Sequence, residues 1–184
     1  MNAQRLLVIS DIHGHVRELE AVLNWAQDHA KSGGIDAAVF LGDGAADLKR
    51  ITDVNGFSCE WKLVRGNNDF DSSLPLGCIL DCGGHRFFLC HGHQYALYSG
   101  YDTLAAAAAN LDAEAVLFGH AHVPCYKKYN NILMINPGSI GFPRSNIGAT
   151  FAVVLCEPGK SPEAEFWGIG GQYSIKRLSG TVNG

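Results

Sequence analysis

Five short apolar runs in the sequence each end in aspartate, asparagine or histidine, usually beside glycine. The polar residues that follow these runs are Asp11, His13, Asp43, Asn67, His91, His93, His120 and His122. Carboxylate and amide oxygens and imidazole nitrogens are ligands for divalent ions such as Zn, Mn and Fe. A single ion takes only about four to six such ligands. The set therefore predicts a site for two divalent metal ions.

The spacing of these residues is Asp-x-His or His-x-His in three places, at 11–13, 91–93 and 120–122. Residues i and i+2 of an extended segment point in the same direction. We therefore expect both members of each pair to face one site from an extended chain. A lone Asp-x-His pair is more often structural, because polar groups at strand ends readily find backbone partners. The metal prediction depends on the repetition of the pattern at five strand ends.

The elements that must position these residues alternate between strand and helix in the first half of the chain. Apolar runs at 6–9, 37–41 and 61–64 predict strands, and residues 16–31 and 45–51 are predicted to be helices. This alternation is typical of a parallel sheet covered by helices. In such sheets ligands bind beyond the carboxyl ends of the strands, which is where the candidate residues stand.

The second half of the chain is richer in predicted strands. These strands occupy residues 76–82, 85–90, 115–118, 124–129, 132–135, 149–156, 163–168 and 172–177. The first two read as a hairpin around Gly83-Gly84, and the alanine-rich run at 102–110 predicts a surface helix. We expect the strands to divide into two sheets and residues 1–184 to form one domain.

Composition limits the class of protein. The chain has 184 residues, of which 47% are hydrophobic and 17% are charged, so it can bury a sizeable core. The net charge is −4, and no lysine and arginine cluster is long enough to indicate binding to nucleic acid or a membrane surface. The six cysteines lack CxxC spacing and several lie in apolar runs. Without an apparent secretion signal, they predict reduced thiols and a cytoplasmic protein.

The motifs DIH, GDG, GNND, HGH and GHAH occur in this order along the chain. Together they resemble the calcineurin-like metallophosphoesterase superfamily, and the resemblance extends from residue 5 to about residue 145. SDIHG near the start and NPGS at 136–139 make the chain most similar to the small bacterial and archaeal phosphodiesterases of the YfcE type. The resemblance implies an α/β fold of four layers, in which two mixed β-sheets pack face to face between flanking helices.

The resemblance also implies a ligand set and a reaction. The implied ligands are Asp11, His13 and His122 for one ion, Asn67, His91 and His120 for the other, and Asp43 as the bridge. Manganese is the expected metal, and Fe, Zn or Ni also suit these donors. The expected reaction is hydrolysis of a phosphodiester by a hydroxide that the two ions activate. The charges of two ions, two carboxylates and one hydroxide sum to about +1, which suits a diester monoanion.

Asn68 departs from the superfamily pattern, because most members have histidine at this position. That histidine is taken to protonate the leaving group or to bind phosphate. An amide can hydrogen-bond a phosphate oxygen, but it cannot act as a general acid. We predict that the catalytic residues are Asp43, Asn68 and His93, and that esters with good leaving groups are cleaved best.

Four residues near the motifs have further expected roles, and two of them have alternatives. His93 either touches the substrate or is a hydrogen-bonded histidine at a strand end. Arg144 either reaches the phosphate or is a solvated loop residue. His15 is expected to cap the first helix, although histidine is a weaker cap than asparagine. Asp69 is expected to orient a neighbouring ligand.

Two other functions compete with the phosphodiesterase prediction. One is a phosphomonoesterase or nucleotide phosphatase that uses the same site. The other is a non-catalytic scaffold of the same fold, like the retromer subunit among the eukaryotic relatives, although every expected ligand position is filled here. The expected partner is a small phosphodiester, such as a cyclic nucleotide, a diester metabolite or a nucleic-acid end. A membrane partner is not expected, and a small homo-oligomer is a common default.

Overall fold

The computed structural model describes residues 2–31, 34–55 and 59–179. Within these ranges the chain forms three α-helices, which are α1 (Val16–Lys31), α2 (Ala45–Asn55) and α3 (Asp102–Ala109). The same ranges contain eleven strands, which in chain order are β1 (Gln4–Ile9), β2 (Ala37–Phe40), β3 (Glu60–Leu63), β4 (Gly77–Cys82), β5 (His85–Cys90), β6 (Ala115–Phe118), β7 (Cys125–Tyr129), β8 (Ile132–Asn136), β9 (Ala149–Cys156), β10 (Glu163–Ile169) and β11 (Ile175–Arg177).

The first sheet has the strand order β11-β10-β9-β1-β2-β3 in the described part of the chain. Strands β1, β2 and β3 run parallel, with Leu6 opposite Ala37 and Ala37 opposite Glu60. Strand β9 pairs antiparallel with β1 and β10, so the sheet is mixed. Because β1, β2 and β3 point the same way, their carboxyl ends lie at one edge of the sheet.

The second sheet has the order β4-β5-β6-β8-β7 among the described strands. Its three central strands, β5, β6 and β8, run parallel, with Phe87 opposite Ala115 and Ala115 opposite Leu133. The outer strands β4 and β7 are antiparallel to their neighbours. The carboxyl ends of β5 and β6 therefore also share one edge.

A hydrophobic core lies between the two sheets. Leu6 and Val8 of β1 and Phe87 and Leu89 of β5 belong to one buried cluster, so the sheets pack face to face. Successive residues of a strand point to opposite faces, which is why alternate residues of β1 enter this core. Complete burial of a side chain of this size stabilises the fold by about 1.5–3 kcal/mol.

The helices cover the outer faces of the two sheets. Leu7 and Ile9, on the other face of β1, pack in a cluster with Leu19 of α1. On the far side, Val116 of β6 packs in a cluster with Leu104 of α3. The layers therefore run helix, sheet, sheet, helix, which confirms the predicted α/β fold of four layers.

Helix α1 shows why the sequence forms these layers. Its buried residues Leu19, Val22, Leu23 and Ala26 are spaced by three or four positions and lie on one side of the helix. Helix α3 follows the same rule with Leu104, Ala105 and Ala108, so the alanine-rich run is a helix with one buried face.

Most predicted boundaries lie within two residues of those in the structure, and two differ by more. Helix α2 continues to Asn55, past the predicted end at residue 51. The predicted strand 172–177 is wrong in its first half, because Gln172 and Tyr173 have φ values of 55° and 57° in a short 3₁₀ turn. A left-handed backbone cannot continue a strand, so β11 begins only at Ile175.

The predicted domain of residues 1–184 includes positions 1, 32–33, 56–58 and 180–184, which lie outside the described residues. No helix in the described ranges combines the length and the apolar character that crossing a bilayer requires.

Candidate metal centre

The candidate ligands lie on turns that follow β1, β2, β3, β5 and β6. Backbone hydrogen bonds connect these turns within each sheet, since the Asp11 N–H donates to the Gly42 carbonyl at 3.0 Å and the Gly119 N–H donates to the His91 carbonyl at 3.0 Å. A third bond joins the two sheets, because the backbone N–H of His120 donates to Oδ2 of Asp11 at 3.1 Å. The five turns therefore form one site at the edge where both sheets end.

Most of the candidate ligands have a left-handed backbone. The positive φ values are 55° at Asp11, 48° at His13, 64° at Asp43, 63° at His120 and 59° at His122. The predicted extended geometry of the three His-containing pairs is therefore wrong, and His93 likewise begins a 3₁₀ helix. Each such residue costs about 1–3 kcal/mol, and the hydrogen bonds between the turns offset that cost. The side chains meet because the chain turns sharply after each strand.

Two glycines allow the turns to approach the carboxylates. A Cβ atom at Gly66 would lie 2.1 Å from Oδ1 of Asp43, and a Cβ atom at Gly119 would lie 2.9 Å from Oδ2 of Asp11. Both separations are too short for any side chain. The glycines of the GNND and GHAH motifs are therefore required by packing against the site.

Asp11 is completely buried and has one oxygen directed at three imidazoles. Its Oδ2 accepts hydrogen bonds from Ser10 and His120, whereas its Oδ1 makes none to any described residue. Oδ1 lies 3.1 Å from Nε2 of His122, 3.7 Å from that of His13 and 3.9 Å from that of His91. Burial alone would raise the pKa of Asp11, but the contacts with His122 and His13 outweigh it and lower the pKa. The carboxylate is therefore ionised.

Asp43 is held from one side by Asn68. The backbone N–H of Asn68 donates to Oδ1 of Asp43 and its amide Nδ2 donates to Oδ2, both at 2.7 Å. On the other side, Nε2 of His91 lies 3.4 Å from Oδ2. Burial raises the pKa of Asp43, but His91 and Asn68 together lower it to about 2. The contact between Asn68 and the expected bridging ligand is a feature that the sequence analysis missed.

His91 and His122 are oriented by backbone carbonyls. Nδ1 of His91 donates to the carbonyl of Leu41 at 2.7 Å, and Nδ1 of His122 donates to the carbonyl of Phe142. In the neutral imidazole the other nitrogen, Nε2, then carries a lone pair. Both Nε2 atoms face carboxylate oxygens, so a proton or a cation must lie between them. This is the usual arrangement for histidines that bind metal.

The described carboxylate, imidazole and thiol groups form two compact sets that could each hold an ion. The sets are Asp11, His13 and His122, and Asp11, Asp43 and His91, with ligand atoms within 4.8 Å of one another in each. In this geometry Asp11 belongs to both sets. The donor chemistry and the buried Oδ1 of Asp11 fit divalent metal ions.

Asn67 and His120, the remaining expected ligands, lie beside these sets. Oδ1 of Asn67 lies 3.2 Å from Nε2 of His91. The ring of His120 has its centre 5.1 Å from that of His91, and burial together with the charge of His91 lowers the pKa of His120. All seven expected ligands are therefore gathered in one place, and the assignment of each to an ion stays a prediction.

His93 lies next to the candidate ligands and is itself half-buried. Its ring centre is 5.4 Å from that of His91, and its Nδ1 is buried with no hydrogen bond among the described residues. Burial lowers the pKa of His93, and the charge of His91 lowers it further. His93 was predicted either to touch the substrate or to be a hydrogen-bonded histidine at a strand end. The lack of a hydrogen bond at Nδ1 does not support the second role.

The rim of the site carries Tyr98, Arg144 and Phe142. The guanidinium of Arg144 donates to the hydroxyl of Tyr98, whose ring lies 5.9 Å from that of His120. The ring of Phe142 contacts His13 edge-on at 5.5 Å. Arg144 is exposed, and its contact with the phosphate stays a prediction. Tyr98 and Phe142 were missed, because neither stands in a motif.

Asp69 connects the turns after β2 and β3. Its carboxylate accepts four backbone hydrogen bonds at 2.8–2.9 Å, whose donors are the N–H groups of Asp43, Gly44, Ala45 and Gly66. Two of these donors are at the start of α2, where a carboxylate stabilises the helix terminus. Asp69 therefore positions Asp43, as the sequence predicted for this residue.

A family model for the calcineurin-like phosphoesterase superfamily domain matches residues 5–159 of the chain. The probable metallophosphoesterase YsnB of Bacillus subtilis is 28% identical over 152 residues, which cover 83% of this chain and 84% of YsnB. The phosphodiesterase YfcE of Escherichia coli K12 is 28% identical over 172 residues, covering 82% of this chain and 86% of YfcE.

Solved structures show the same fold. A predicted phosphoesterase from Streptococcus pneumoniae superposes with a TM-score of 0.74 at 26% identity and covers 97% of this chain and 98% of its own. Vps29 of Chaetomium thermophilum also superposes at 0.74, with 22% identity and coverage of 95% and 96%, a likeness of fold alone. By the extent of the family match and by its fold, the chain belongs to the calcineurin-like phosphoesterase superfamily.

Proposed function

We propose that this chain is a metal-dependent phosphodiesterase that uses two divalent ions. The observation that carries the proposal is the convergence on Oδ1 of Asp11. Three imidazole Nε2 atoms lie within 3.9 Å of this buried oxygen, and it has no hydrogen bond to any residue in the described ranges. A buried carboxylate oxygen that faces the lone pairs of ring nitrogens is stable only if protons or cations lie between them.

The expected ligands are the residues that would hold the ions. Asp11, His13 and His122 would bind one, Asn67, His91 and His120 the other, and Asp43 would contact both. The ions would supply positive charge to the phosphate oxygens and would activate a water molecule for attack on phosphorus. Manganese is the ion we propose first, and the donor types also suit Fe, Zn and Ni.

The residues around the ligands favour a diester with a good leaving group. Asn68 cannot donate a proton as an acid, and its Nδ2 is engaged with Asp43. His93 would contact the substrate, but burial lowers its pKa, which disfavours the protonated form that a general acid needs. These two residues are therefore poor general acids for a leaving alkoxide. Loss of general acid catalysis typically lowers the rate by about 10²–10⁴-fold.

The relative YfcE, whose name is phosphodiesterase, is 28% identical and supports the diester. The test is to remove metal from the protein, restore Mn²⁺, and compare hydrolysis of methyl p-nitrophenyl phosphate with that of p-nitrophenyl phosphate. Metal-dependent cleavage that favours the diester is the expected result. A preference for the monoester would replace the proposal with a phosphomonoesterase.

A scaffold of the same fold is the remaining outcome of this test. The fold is shared with Vps29, but all seven candidate ligands stand together in this chain. Absence of turnover of both esters with Mn²⁺, Fe²⁺, Zn²⁺ and Ni²⁺ would overturn the proposed activity and leave the scaffold.

A further inference from the structure

A groove with a volume of about 640 Å³ begins at the candidate metal centre. His13, Asp43 and Asn68 line its inner end, and from there it runs between α2 and the segment 68–74. This volume is within the range of about 300–1,000 Å³ that is typical of sites for small organic ligands. The groove is therefore large enough for a substituent the size of a nucleoside, in contact with the residues expected to hold the phosphate.

The floor of the groove is the outer face of β3. Trp61 and Leu63, two residues apart on this strand, both line the groove and also pack against the core under α1 and α2. Since β3 is the edge strand of the first sheet, no further strand of the described chain covers that side. The floor is consequently apolar and partly open.

The two walls carry apolar side chains of different exposure. Leu48 of α2 is buried beneath the groove, whereas Phe70 on the opposite wall is fully exposed, at 101% of its reference area. The segment that carries Phe70 is held in place, because the Arg65 N–H donates to the Pro75 carbonyl at 2.8 Å. A large exposed aromatic side chain on an ordered segment beside a metal centre is suited to contact a flat ligand group.

The charges in the groove disfavour a second anionic group. Asp47 accepts from the Gly14 N–H at 3.1 Å, and Asp71 accepts from the Ser73 N–H at 3.0 Å. Both carboxylates line the groove, and Asp47 also lies 3.4 Å from the guanidinium of Arg50. The pKa of Asp71 is lowered chiefly by its hydrogen bonds with Ser73 and to a smaller extent by the charge of Lys49, which also lines the groove. An additional phosphate on the substituent would be repelled, whereas hydroxyl and N–H groups would find acceptors.

We propose that this groove binds one ester group of the substrate, and that this group is an uncharged aromatic group of nucleoside size. The inference rests on the proposed phosphodiesterase function and specifies its substrate class. A diester bearing an uncharged nucleoside is preferred to one bearing a small alkyl group. The same nucleoside with an extra phosphate is disfavoured.

The test uses p-nitrophenyl phosphodiesters that share one leaving group and differ in the second ester group. The second groups are methyl, phenyl, 5′-thymidyl and 5′-thymidyl with a 3′-phosphate. We expect kcat/KM for the thymidyl ester to exceed that for the methyl ester by about tenfold or more. The added 3′-phosphate should remove most of this preference, and a phenyl ester as good as the thymidyl ester would narrow the class to aryl groups.

Two variants locate the preference in the groove. Ala46→Phe places a ring in the groove from an exposed position on α2, and Phe70→Ala removes the exposed ring. Both should bring the ratio of thymidyl to methyl kcat/KM towards one. Ala106→Phe, the same change at an exposed position on α3, is the matched control and should keep the wild-type ratio. A wild-type ratio in both groove variants would overturn the proposal.

A binding experiment separates this inference from the proposed activity. Thymidine, which has no phosphate, is added to the metal-free protein and its contact is followed by ligand-observed NMR. Contact with the wild-type protein that is lost in Ala46→Phe supports the groove, even if no ester is hydrolysed. No contact with the wild-type protein, together with equal rates for methyl and thymidyl esters, refutes the groove while the phosphodiesterase activity stands.

Discussion

Strand β5 has a buried histidine near each end, and the two have different surroundings. At its start, Nδ1 of His85 lies 2.8 Å from Oε1 of Glu114, and Nε2 lies 2.8 Å from the Glu157 carbonyl. Just past its end, Nε2 of His91 has three oxygens at 3.2–3.9 Å, from Asn67, Asp43 and Asp11. One oxygen at hydrogen-bond distance from each nitrogen marks a structural histidine. Several oxygens around one nitrogen are the arrangement expected of a metal ligand.

The two ends of β5 also differ in what surrounds the histidines. Both ends link the two sheets, since the Glu157 carbonyl that contacts His85 directly follows β9 of the first sheet. The difference lies in the backbone, because the end with His91 has several non-glycine residues in the left-handed region. The comparison separates a region built for stability from a region where polar groups are brought together at a cost in stability.

The largest expected effect is the loss of activity in His91→Ala. The change removes a candidate ligand beside Asp43, and we expect kcat/KM for methyl p-nitrophenyl phosphate to fall by about 10²–10³-fold or more. The matched variant is His85→Ala, at the other end of the same strand, which should retain wild-type kcat/KM per folded molecule. Equal losses in the two variants would contradict the distinction between the two histidines.

Asn68→Ala tests the support of Asp43. The variant loses the Nδ2 hydrogen bond to Oδ2 of Asp43 but keeps the one from its backbone. Removing a group that orients a ligand typically costs about 10–100-fold in metal affinity or activity. We expect a loss in that range, accompanied by weaker Mn²⁺ binding in calorimetry. Unchanged Mn²⁺ binding with a raised KM would instead assign Asn68 to the substrate.

His85→Ala should destabilise the fold. It leaves Glu114 and the Glu157 carbonyl without their imidazole partner, and we expect the free energy of unfolding in urea to fall by about 1–3 kcal/mol. Glu114→Gln keeps an acceptor opposite Nδ1 and should cost less. If His85→Ala unfolds at the wild-type urea concentration, the contacts of His85 add nothing to stability.

The smallest expected effect is a pH dependence of stability that differs between the metal-free and the Mn²⁺-bound protein. In the metal-free protein, contact with Asp11 raises the pKa of His13. Burial lowers the pKa of His91, but Asp43 and Asp11 together outweigh it and raise the pKa above the usual 6.5. The stability from these protonated histidines is complete below 6.5 and is lost as pH rises through the raised folded values. Metal binding requires neutral imidazoles, so stabilisation by Mn²⁺ should grow over the same rise. The measurement is the melting temperature with and without Mn²⁺ between about pH 6 and pH 8.

In the metal-free protein the lowered pKa values of His93 and His120 act on stability in the opposite direction. The shifts of His13 and His91 are therefore checked one residue at a time, and ring-proton NMR titrations that give pKa values below 6.5 for these two histidines would contradict them. A shift on adding Mn²⁺ that shrinks as pH rises would contradict the histidines as ligands. The two observations are independent, because the first concerns protons and the second the ion.

The sequence was sufficient to predict the fold class and the gathering of the ligands. Apolar runs that end in Asp, Asn or His place those residues at the carboxyl ends of strands, and parallel pairing then brings them to one edge. The alternation of apolar and polar residues predicts a strand, but it does not predict the backbone angles of the turn that follows the strand. The left-handed φ values at Asp11 and His13 depend on hydrogen bonds to turns distant in the chain, so an extended pair was predicted where tight turns exist.

The sequence separated His91, which follows an apolar run, from His85, which begins one, but it did not give the partners of either ring. Their partners, Glu114 for one and Leu41 for the other, are far away in the chain. Asn68 could not be assigned for the same reason, since its amide turns towards Asp43, 25 residues earlier. The ligand assignment, the cytoplasmic location and the homo-oligomer stay predictions.

The expected ligands come from both sheets, with Asp11, His13, Asp43 and Asn67 after strands of the first and His91, His120 and His122 after strands of the second. An ion held by both groups would cross-link two halves of the chain that are otherwise joined at this edge by contacts such as that of Asp11 with the His120 N–H. Its binding free energy would then resist separation of the layers. Hydrogen exchange should therefore slow on adding Mn²⁺ in both sheets. The effect should extend to the amides at the starts of β1 and β6, at the opposite ends of these strands from the ligands.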